Sequence, residues 1–394
     1  MSGQSQASLR ILQVFNRYLQ PGGEEDSVER IATHLKLAGF EVTDFWRASE
    51  EWTRPDAPPK WQQLFLTMNN PAVLHELREL HLRTKPDVWV LHNVVPVISL
   101  GVYRLARELG VPVIQWLHNY RPISPSGLLR AGGRMLQPDD PWLVAKEILA
   151  GSWRGPSLTA WLALGFSQVK SRGDFDAVKA WIAISSDMRN IFERADFPKE
   201  KLYLLRHAWD IPPPRPAGVD AGYFLFLGRM VEEKGVRFLM ELWQRPEFKN
   251  IELVMAGQGP LVEEYRGRTP SNVRWAGFVA GEEKRRLIAR ARAVLFPCLW
   301  NEPLGLVVYE AFGEGRPVIG SDLGGLKDLI TDGVTGRLLP PADIAVWTSA
   351  IQQLAREPEL SHKMGRCGFE WLKANVSPSA WAAQFKQILE KVLR

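Results

Sequence analysis

Only two of the 394 residues are cysteine, Cys298 and Cys367. Two thiols cannot form a disulfide framework, and their spacing is not that of metal ligands, so a reducing cytosol is the expected compartment. Apolar character is also lacking at the start: Met1 to Arg10 is polar with no apolar h-region, so no signal peptide is expected. Long hydrophobic runs are absent too. The most membrane-like stretch, Val88 to Ala106, is interrupted by His92, Asn93, Pro96, Ser99, Gly101 and Arg104. A spanning helix needs about 20 predominantly apolar residues, so strand, loop and helix are expected there instead of an anchor. Nor is there an excess of one charge: 49 Lys+Arg face 44 Asp+Glu, a net of +5. Dedicated nucleic-acid binding wants a concentrated basic field, so no nucleic-acid partner is expected. With 45% hydrophobic and 24% charged residues, no tandem repeat and no low-complexity tract, the chain reads as folded, in two or three domains.

What is present is a steady alternation of short β-rich runs with helical patterns, the mark of an α/β protein with parallel sheets and crossover helices. Leu9–Asn16, Phe40–Asp44, Asp87–His92, Val111–His118 and Ala180–Ser185 read as strands, with helices at Glu24–Ala38 and Pro96–Leu109. The run Ile-Pro-Pro-Pro-Arg-Pro-Ala-Gly at 211–218 can neither extend a helix nor feed a central strand, and marks a linker. The alternation then restarts with strands at Tyr223–Gly228, Glu252–Ala256, Val273–Gly277, Ala293–Pro297 and Pro317–Ser321. Helices are expected from Lys234, from Glu282, over Pro303–Gly313, and from Ile344 to the end. The expectation is two Rossmann-like doubly wound domains, 1–210 and 211–377, facing across a cleft with the carboxyl ends of their strands turned inward. Residues 378–394 form a final helix that packs back toward the N-terminal domain.

The strongest local signal is Asn301-Glu302-Pro303-Leu304-Gly305-Leu306, continuing through Glu310 to Gly313. A strand leads into a loop carrying Glu302, Pro303 suits the first turn of a helix, and Gly305 lets a ligand approach. The exposed N–H groups of such a helix start would suit a diphosphate, while Glu302 can accept hydrogen bonds from sugar hydroxyls. Glu310 lies eight residues on, about two turns at 3.6 residues per turn, so both carboxylates are expected on one face. The competing reading is a capping Glu and a solvated helix Glu. A second signal is Gly228-Arg229-Met230-Val231-Glu232-Glu233-Lys234-Gly235. Arg229 at a strand end and Lys234 at a helix start could together neutralise a diphosphate leaving group. Alternatively, the two cations pair with Glu232 and Glu233.

Other features carry less information. Pro21-Gly22-Gly23 after the first strand allows close approach to a phosphate or sugar, but it is no complete G-x-G-x-x-G fingerprint and implies no hydride cofactor. His118 ends a strand; a single histidine is more often a satisfied structural group, but a strand's carboxyl end raises the case for function. Ser185 and Ser186 precede a helix and read as caps. Asp174-Phe175-Asp176 spells D-x-D but does not follow a strand end, so a polar helix start is preferred over a metal site. Between Pro122 and Phe175, Trp142, Trp153 and Trp161 are interspersed with Arg130, Arg134, Lys146, Arg154, Lys170 and Arg172. This 122–175 segment could rest on an anionic membrane surface, or pack on its own domain and line an acceptor pocket.

Taken together, Glu302 with Glu310, Arg229 with Lys234, Gly22-Gly23 and His118 resemble the family-four glycosyltransferases, retaining enzymes of the GT-B fold with a Glu-x7-Glu motif. The resemblance is sharpest from Tyr223 to Asp343, including Gly324-Gly325 and Gly333 to Pro340. It implies a hexosyltransferase-like enzyme that moves a sugar from a nucleotide-diphosphate sugar to a hydroxyl acceptor, free or lipid-linked, in bacterial polysaccharide or glycoconjugate synthesis. Arg229 and Lys234 would bind the donor diphosphate. Glu302 with the Gly305-Leu306 backbone would hold the transferred sugar, and Glu310 the ribose. His118 would lie against the donor sugar, with Gly22 and Gly23 beside the diphosphate and acceptor. No cofactor and no metal are expected, and the enzyme would be cytoplasmic or peripheral on the inner membrane face. Arg206-His207-Ala208-Trp209-Asp210 departs from the Asn-Gly-Val-Asp-like turn of relatives. The alternatives are a catalytically silent nucleotide-sugar-binding subunit, or a GT-B epimerase or phosphorylase.

Overall fold

The computed structural model describes residues 8–19, 22–211 and 220–394. Pro21 and all of the expected linker except Ile211 lie outside the described residues. The chain divides into two compact units: one runs through Ala208 and resumes at Pro378–Arg394, the other is Trp209–Ser377.

The first unit is built on β1 (Arg10–Arg17), β2 (Glu41–Ala48), β3 (Val88–Leu91) and β4 (Val113–Leu117), with a small hairpin of β5 (Arg130–Ala131) and β6 (Arg134–Met135), then β7 (Val178–Ala183) and β8 (Leu202–Leu204). Its six-stranded sheet has the order β2-β1-β3-β4-β7-β8, with every pair parallel. Val-Trp-Val-Leu of β3 is wholly buried, as expected where helices cover both faces of a parallel sheet. The second unit is built on β9 (Phe224–Leu227), β10 (Leu253–Ala256), β11 (Val273–Gly277), β12 (Ala293–Phe296), β13 (Val318–Ser321) and β14 (Gly336–Leu339). Its order is β11-β10-β9-β12-β13-β14, again all parallel. Numbered within the sheet this is 3-2-1-4-5-6, the Rossmann order, whereas the first sheet runs 2-1-3-4-5-6.

Several expected elements move. The helix placed at Pro96–Leu109 begins only at Gly101. Ahead of it, side chains satisfy the backbone: Val97 N–H donates to Asn16 Oδ1, Asn70 Nδ2 donates to the Val97 carbonyl, and the Asn70 N–H donates to Ser99 Oγ. Lys234 does not open a helix. It closes the short 3-10 turn Glu232–Lys234, and Gly235, at φ 76°, separates that turn from the helix Val236–Trp243. Pro303 likewise stands outside its helix, which runs Leu306–Gly313. The tail is three helices, Ile344–Arg356, Pro358–Asn375 and Pro378–Val392. Proline at a first helical position keeps its fixed φ but lacks the N–H to continue the preceding ladder. β8 and β14, three and four residues long, were not read as strands in the sequence.

The last helix belongs to the first unit. Phe385 meets Phe40 edge-on at 5.8 Å, and Trp381 stacks on Trp116 at 6.0 Å. In the second unit the core gathers Phe224, Phe226, Trp243, Phe248 and Trp347, and the Trp243 indole donates to the Ile251 carbonyl at 2.9 Å. Burying aromatics with their N–H groups satisfied gives most of the apolar gain without an orphaned donor.

The helix Pro358–Asn375 presses Gly365 onto a neighbouring turn: a Cβ there would fall 1.9 Å from the Gly315 carbonyl oxygen. Gly→Ala in an open helix raises stability by roughly 0.5–1 kcal/mol. Here Gly365→Ala should lower it by about 2 kcal/mol or more, read as a drop in the urea midpoint at unchanged slope.

Candidate functional site

In an open parallel sheet, ligands bind beyond the carboxyl ends of the strands, where the strand order reverses. In the second unit that point lies between β9 and β12. β9 delivers Gly228-Arg229 and β12 delivers Pro297 to Glu302, so the two motifs of the sequence converge. Lys234 Nζ donates to Glu302 Oε2 at 2.6 Å, with side chains only 14% and 12% exposed. The ammonium also lies 5.2 Å from the Phe296 ring centroid and 5.5 Å from that of Trp300, so its charge meets a carboxylate and two aromatic rings.

Glycines make this convergence possible. At Gly235 a Cβ would fall 1.9 Å from the Pro297 carbonyl oxygen, so the Lys234 turn sits directly on the end of β12. Gly324 and Gly325 bear on the Glu302 loop from the other side, and the Gly325 N–H donates to the Glu302 carbonyl at 2.7 Å. Gly305, at φ 95°, heads the helix Leu306–Gly313, which no side chain caps. That leaves a first turn suited to an anion, next to Lys234 through the Glu302 loop.

The loop position expected for Glu302 is the one observed. Glu302 lies in the loop before the helix Leu306–Gly313, and Glu310, within that helix, accepts from Lys284 Nζ at 2.8 Å. Of the charge-run pairings, only Arg229 with Glu233 forms, at 3.4 Å, and Arg229 remains half-exposed; Glu232 is taken by Arg237. Leu306 is the first residue of the helix. Nearby Cys298 is buried, and burial first, then Glu302, pushes its thiol up to about 12, an inert thiol at neutral pH.

In the first unit the order reverses between β1 and β3. β1 leads to Tyr18, Gly22, Gly23 and Glu24; β3 ends at His92-Asn93; the neighbouring β4 ends at His118-Asn119. Gly22 is extended at φ −153° and precedes the helix Gly23–Leu37, and a side chain there would meet nothing within 4 Å. Glu24 accepts from the Tyr18 hydroxyl at 3.0 Å and from Asn119 Nδ2 at 3.4 Å. Burial raises its carboxyl to about 7 against the lowering effects of Tyr18, Arg121 and Asn119. His118 Nε2 lies 2.9 Å from His92 Nδ1, and the ring stacks on His207 at 5.6 Å. Burial, reinforced by the two neighbouring imidazoles, holds His118 well below the usual histidine range. Glu24, His92, His118, Asn119 and Arg121 line one cavity with an empty volume of about 350 Å³.

The remaining features resolve locally. Ser185 Oγ accepts from the Met188 N–H at 3.1 Å, a helix cap. Asp174 is buried and pairs with Arg107 at 3.0 Å, in a 3-10 turn Asp174–Ala177. Among the described residues no group of three or more His, Cys, Asp or Glu is placed to hold a metal. In the 122–175 segment the tryptophans part company. Trp161 donates to the Leu64 carbonyl and packs on Phe65, Trp153 lies between Arg121 and Arg154, and Trp142 is 67% exposed. Among the described residues no helix is long and apolar enough to cross a membrane. Across the departure at 206–210, His207 stacks on Trp116 in the first unit, while Trp209 meets Tyr309 at 5.6 Å in the second. Gln13, Tyr18, Glu24, His92, Asn119, Arg121 and Lys284 were not singled out in the sequence. His92 could have been, since it ends β3 just as His118 ends β4.

Two open parallel sheets of this kind in one chain define the GT-B fold. The whole chain superposes on two such structures: HepE of Anabaena in complex with UDP and glucose, and sucrose-phosphate synthase of Thermosynechococcus elongatus. The TM-scores are 0.68 and 0.70, at 16% and 18% identity, covering 97% and 98% of this chain and 99% of each of those. At the level of family, residues 221–357 match the glycosyl transferases group 1. That match lies within the second unit, Trp209–Ser377. Among similar proteins, an alpha-D-kanosaminyltransferase of Streptomyces kanamyceticus is 26% identical over 74% of this chain and 73% of its own length. The D-rhamnosyltransferase WbpZ of Pseudomonas aeruginosa is 29% identical over 44% and 45%, and the O-antigen chain mannosyltransferase C of Escherichia coli is 31% identical over 37% and 40%. This chain therefore spans about three quarters of the first and under half of the other two.

Glu24 gives a pH signature. With its carboxyl raised from 4.5 to about 7 on folding, the unfolded chain loses a proton between those values that the folded chain keeps, so stability falls as pH rises through that window. Glu24→Gln should remove this fall. The variant should be the more stable by on the order of 1–3 kcal/mol above pH 7, and the gap should close toward pH 4.5 in denaturant titrations.

Proposed function

We propose that the protein is a retaining, metal-independent glycosyltransferase. It would transfer a sugar from a nucleotide-diphosphate sugar to a hydroxyl acceptor in the assembly of a bacterial polysaccharide or glycoconjugate. The observation that carries this reading is the Lys234–Glu302 pair at the β9/β12 switch point, beside the uncapped helix start at Gly305. The names of the three relatives, all sugar transferases, and HepE's complex with UDP and glucose support it.

In this mechanism the donor diphosphate lies on the Gly305-Leu306 amides. Lys234 and the half-exposed Arg229 neutralise the charge that develops as the anomeric C–O bond breaks. Glu302 accepts hydrogen bonds from the transferred sugar and Glu310 from the ribose. His118 donates a hydrogen bond to the sugar, and Gly22-Gly23 let diphosphate and acceptor approach the backbone. The acceptor oxygen attacks on the face the diphosphate leaves, and its proton passes to a leaving phosphate oxygen, which balances the step without a covalent enzyme intermediate. A lipid-linked acceptor on the inner membrane face fits the apolar exposure of Trp61, Phe65, Trp142 and Leu149 on and beside the helices Lys60–Met68 and Leu143–Ala150. A silent subunit has no chemical need for the Lys234–Glu302 pair.

With a panel of nucleotide sugars, the wild type should turn over at least one donor. Lys234→Ala and Glu302→Ala should each lose about 10²–10³ in kcat while keeping the native circular dichroism. Inversion at the anomeric carbon would sink the retaining mechanism. Consumption of inorganic phosphate would point to a phosphorylase, and binding without turnover to a silent subunit.

A further inference from the structure

A hydrogen-bond chain crosses three adjacent strands behind His118. It starts at Gln13 on β1, passes through His92 at the end of β3 and reaches His118 at the end of β4. Gln13 Nε2 lies 3.1 Å from the Val28 carbonyl oxygen and 2.8 Å from His92 Nε2, and Gln13 and His92 are 0% and 1% exposed. A carbonyl only accepts, so the Gln13 amide must present its NH2 group there, and its second proton points to His92. His92 Nε2 must then be bare. The single proton of this neutral ring sits on Nδ1, which is 2.9 Å from His118 Nε2. That atom must accept in turn, so the proton of His118 is on Nδ1.

We infer that Gln13 and His92 are positioning residues that lock His118 in its Nδ1–H tautomer, making it a neutral hydrogen-bond donor toward the ligand. The inference rests on the proposed role of His118 against the transferred sugar. A second proton on either ring would set N–H against N–H. The groups packed around the chain are the Trp116, Phe15 and His207 rings, with Arg30 acting on His207, and Glu24 and Arg121 lining the same cavity. The one carboxyl among them, Glu24, is itself engaged by Tyr18 and Asn119. His118 therefore offers an N–H to a sugar or phosphate oxygen and carries no proton in the transfer step, which leaves the leaving phosphate as the acceptor of that proton.

The test is ring-nitrogen NMR on the full chain with 15N-labelled histidine, first without substrate. The expected result is a bare Nε2 and protonated Nδ1 on both His92 and His118, with no titration of His118 between pH 5 and 8. Nε2–H on His118 in the wild type would overturn the inference, and this readout needs no variant to fold. His92→Leu should free the His118 Nε2 from its donor, seen as Nε2–H in the 15N spectrum, and lower kcat about tenfold. His92→Asn, which retains an N–H at the δ position, should restore the tautomer and most of the turnover. An unchanged His118 tautomer in His92→Leu would also overturn the relay. If the NMR result stands but His118→Ala turns over like wild type, the sugar-contact role of His118 fails and the relay does not.

Discussion

The two candidate sites of this protein are both placed by one constraint, the reversal of strand order in a parallel sheet. Parallel strands are joined by crossovers, so every loop after a strand emerges on the same edge. Where successive crossovers go to opposite sides, the loops part and leave the strand ends open. In the second unit that opening falls between β9 and β12, which is why Lys234 and Glu302, 68 residues apart, meet at 2.6 Å. In the first unit it falls between β1 and β3, and Glu24, His92 and His118 gather there.

Close backbone approach then decides how tightly these loops can converge. Gly235 against Pro297, and Gly324 with Gly325 against the Glu302 loop, leave no room for a Cβ. The result is a largely buried ion pair flanked by Phe296 and Trp300. Burying such a pair costs desolvation that its own attraction scarcely repays, so it adds little stability. It does hold a cation and a carboxylate in fixed positions at the strand ends.

Much of this was legible in the residues. Alternating strands and helices gave the α/β class, and strand-end reasoning found Arg229, Glu302 and His118, because a residue type at a strand's carboxyl end is a local pattern. Helix starts were read less well. Lys234 and Pro303 were placed inside helices that begin two and three residues later, since a positive-φ glycine between them and the helix resets the chain. The pairing of Glu310 with Lys284 was invisible, because the partner sits on the separate helix Gly281–Arg290. The same holds for Glu24, whose partners Tyr18 and Asn119 come from two different loops.

The sequence by itself determined which short segments could be strands, which turns needed glycine, and which charged residues stood at strand ends. These depend on steric and periodic rules that act over a few residues. Only the tertiary structure decided the order of the strands, the partner of each charge and the tautomer of His118. Those depend on which groups are brought together and shut away from water, and neither distance in the chain nor residue type records that.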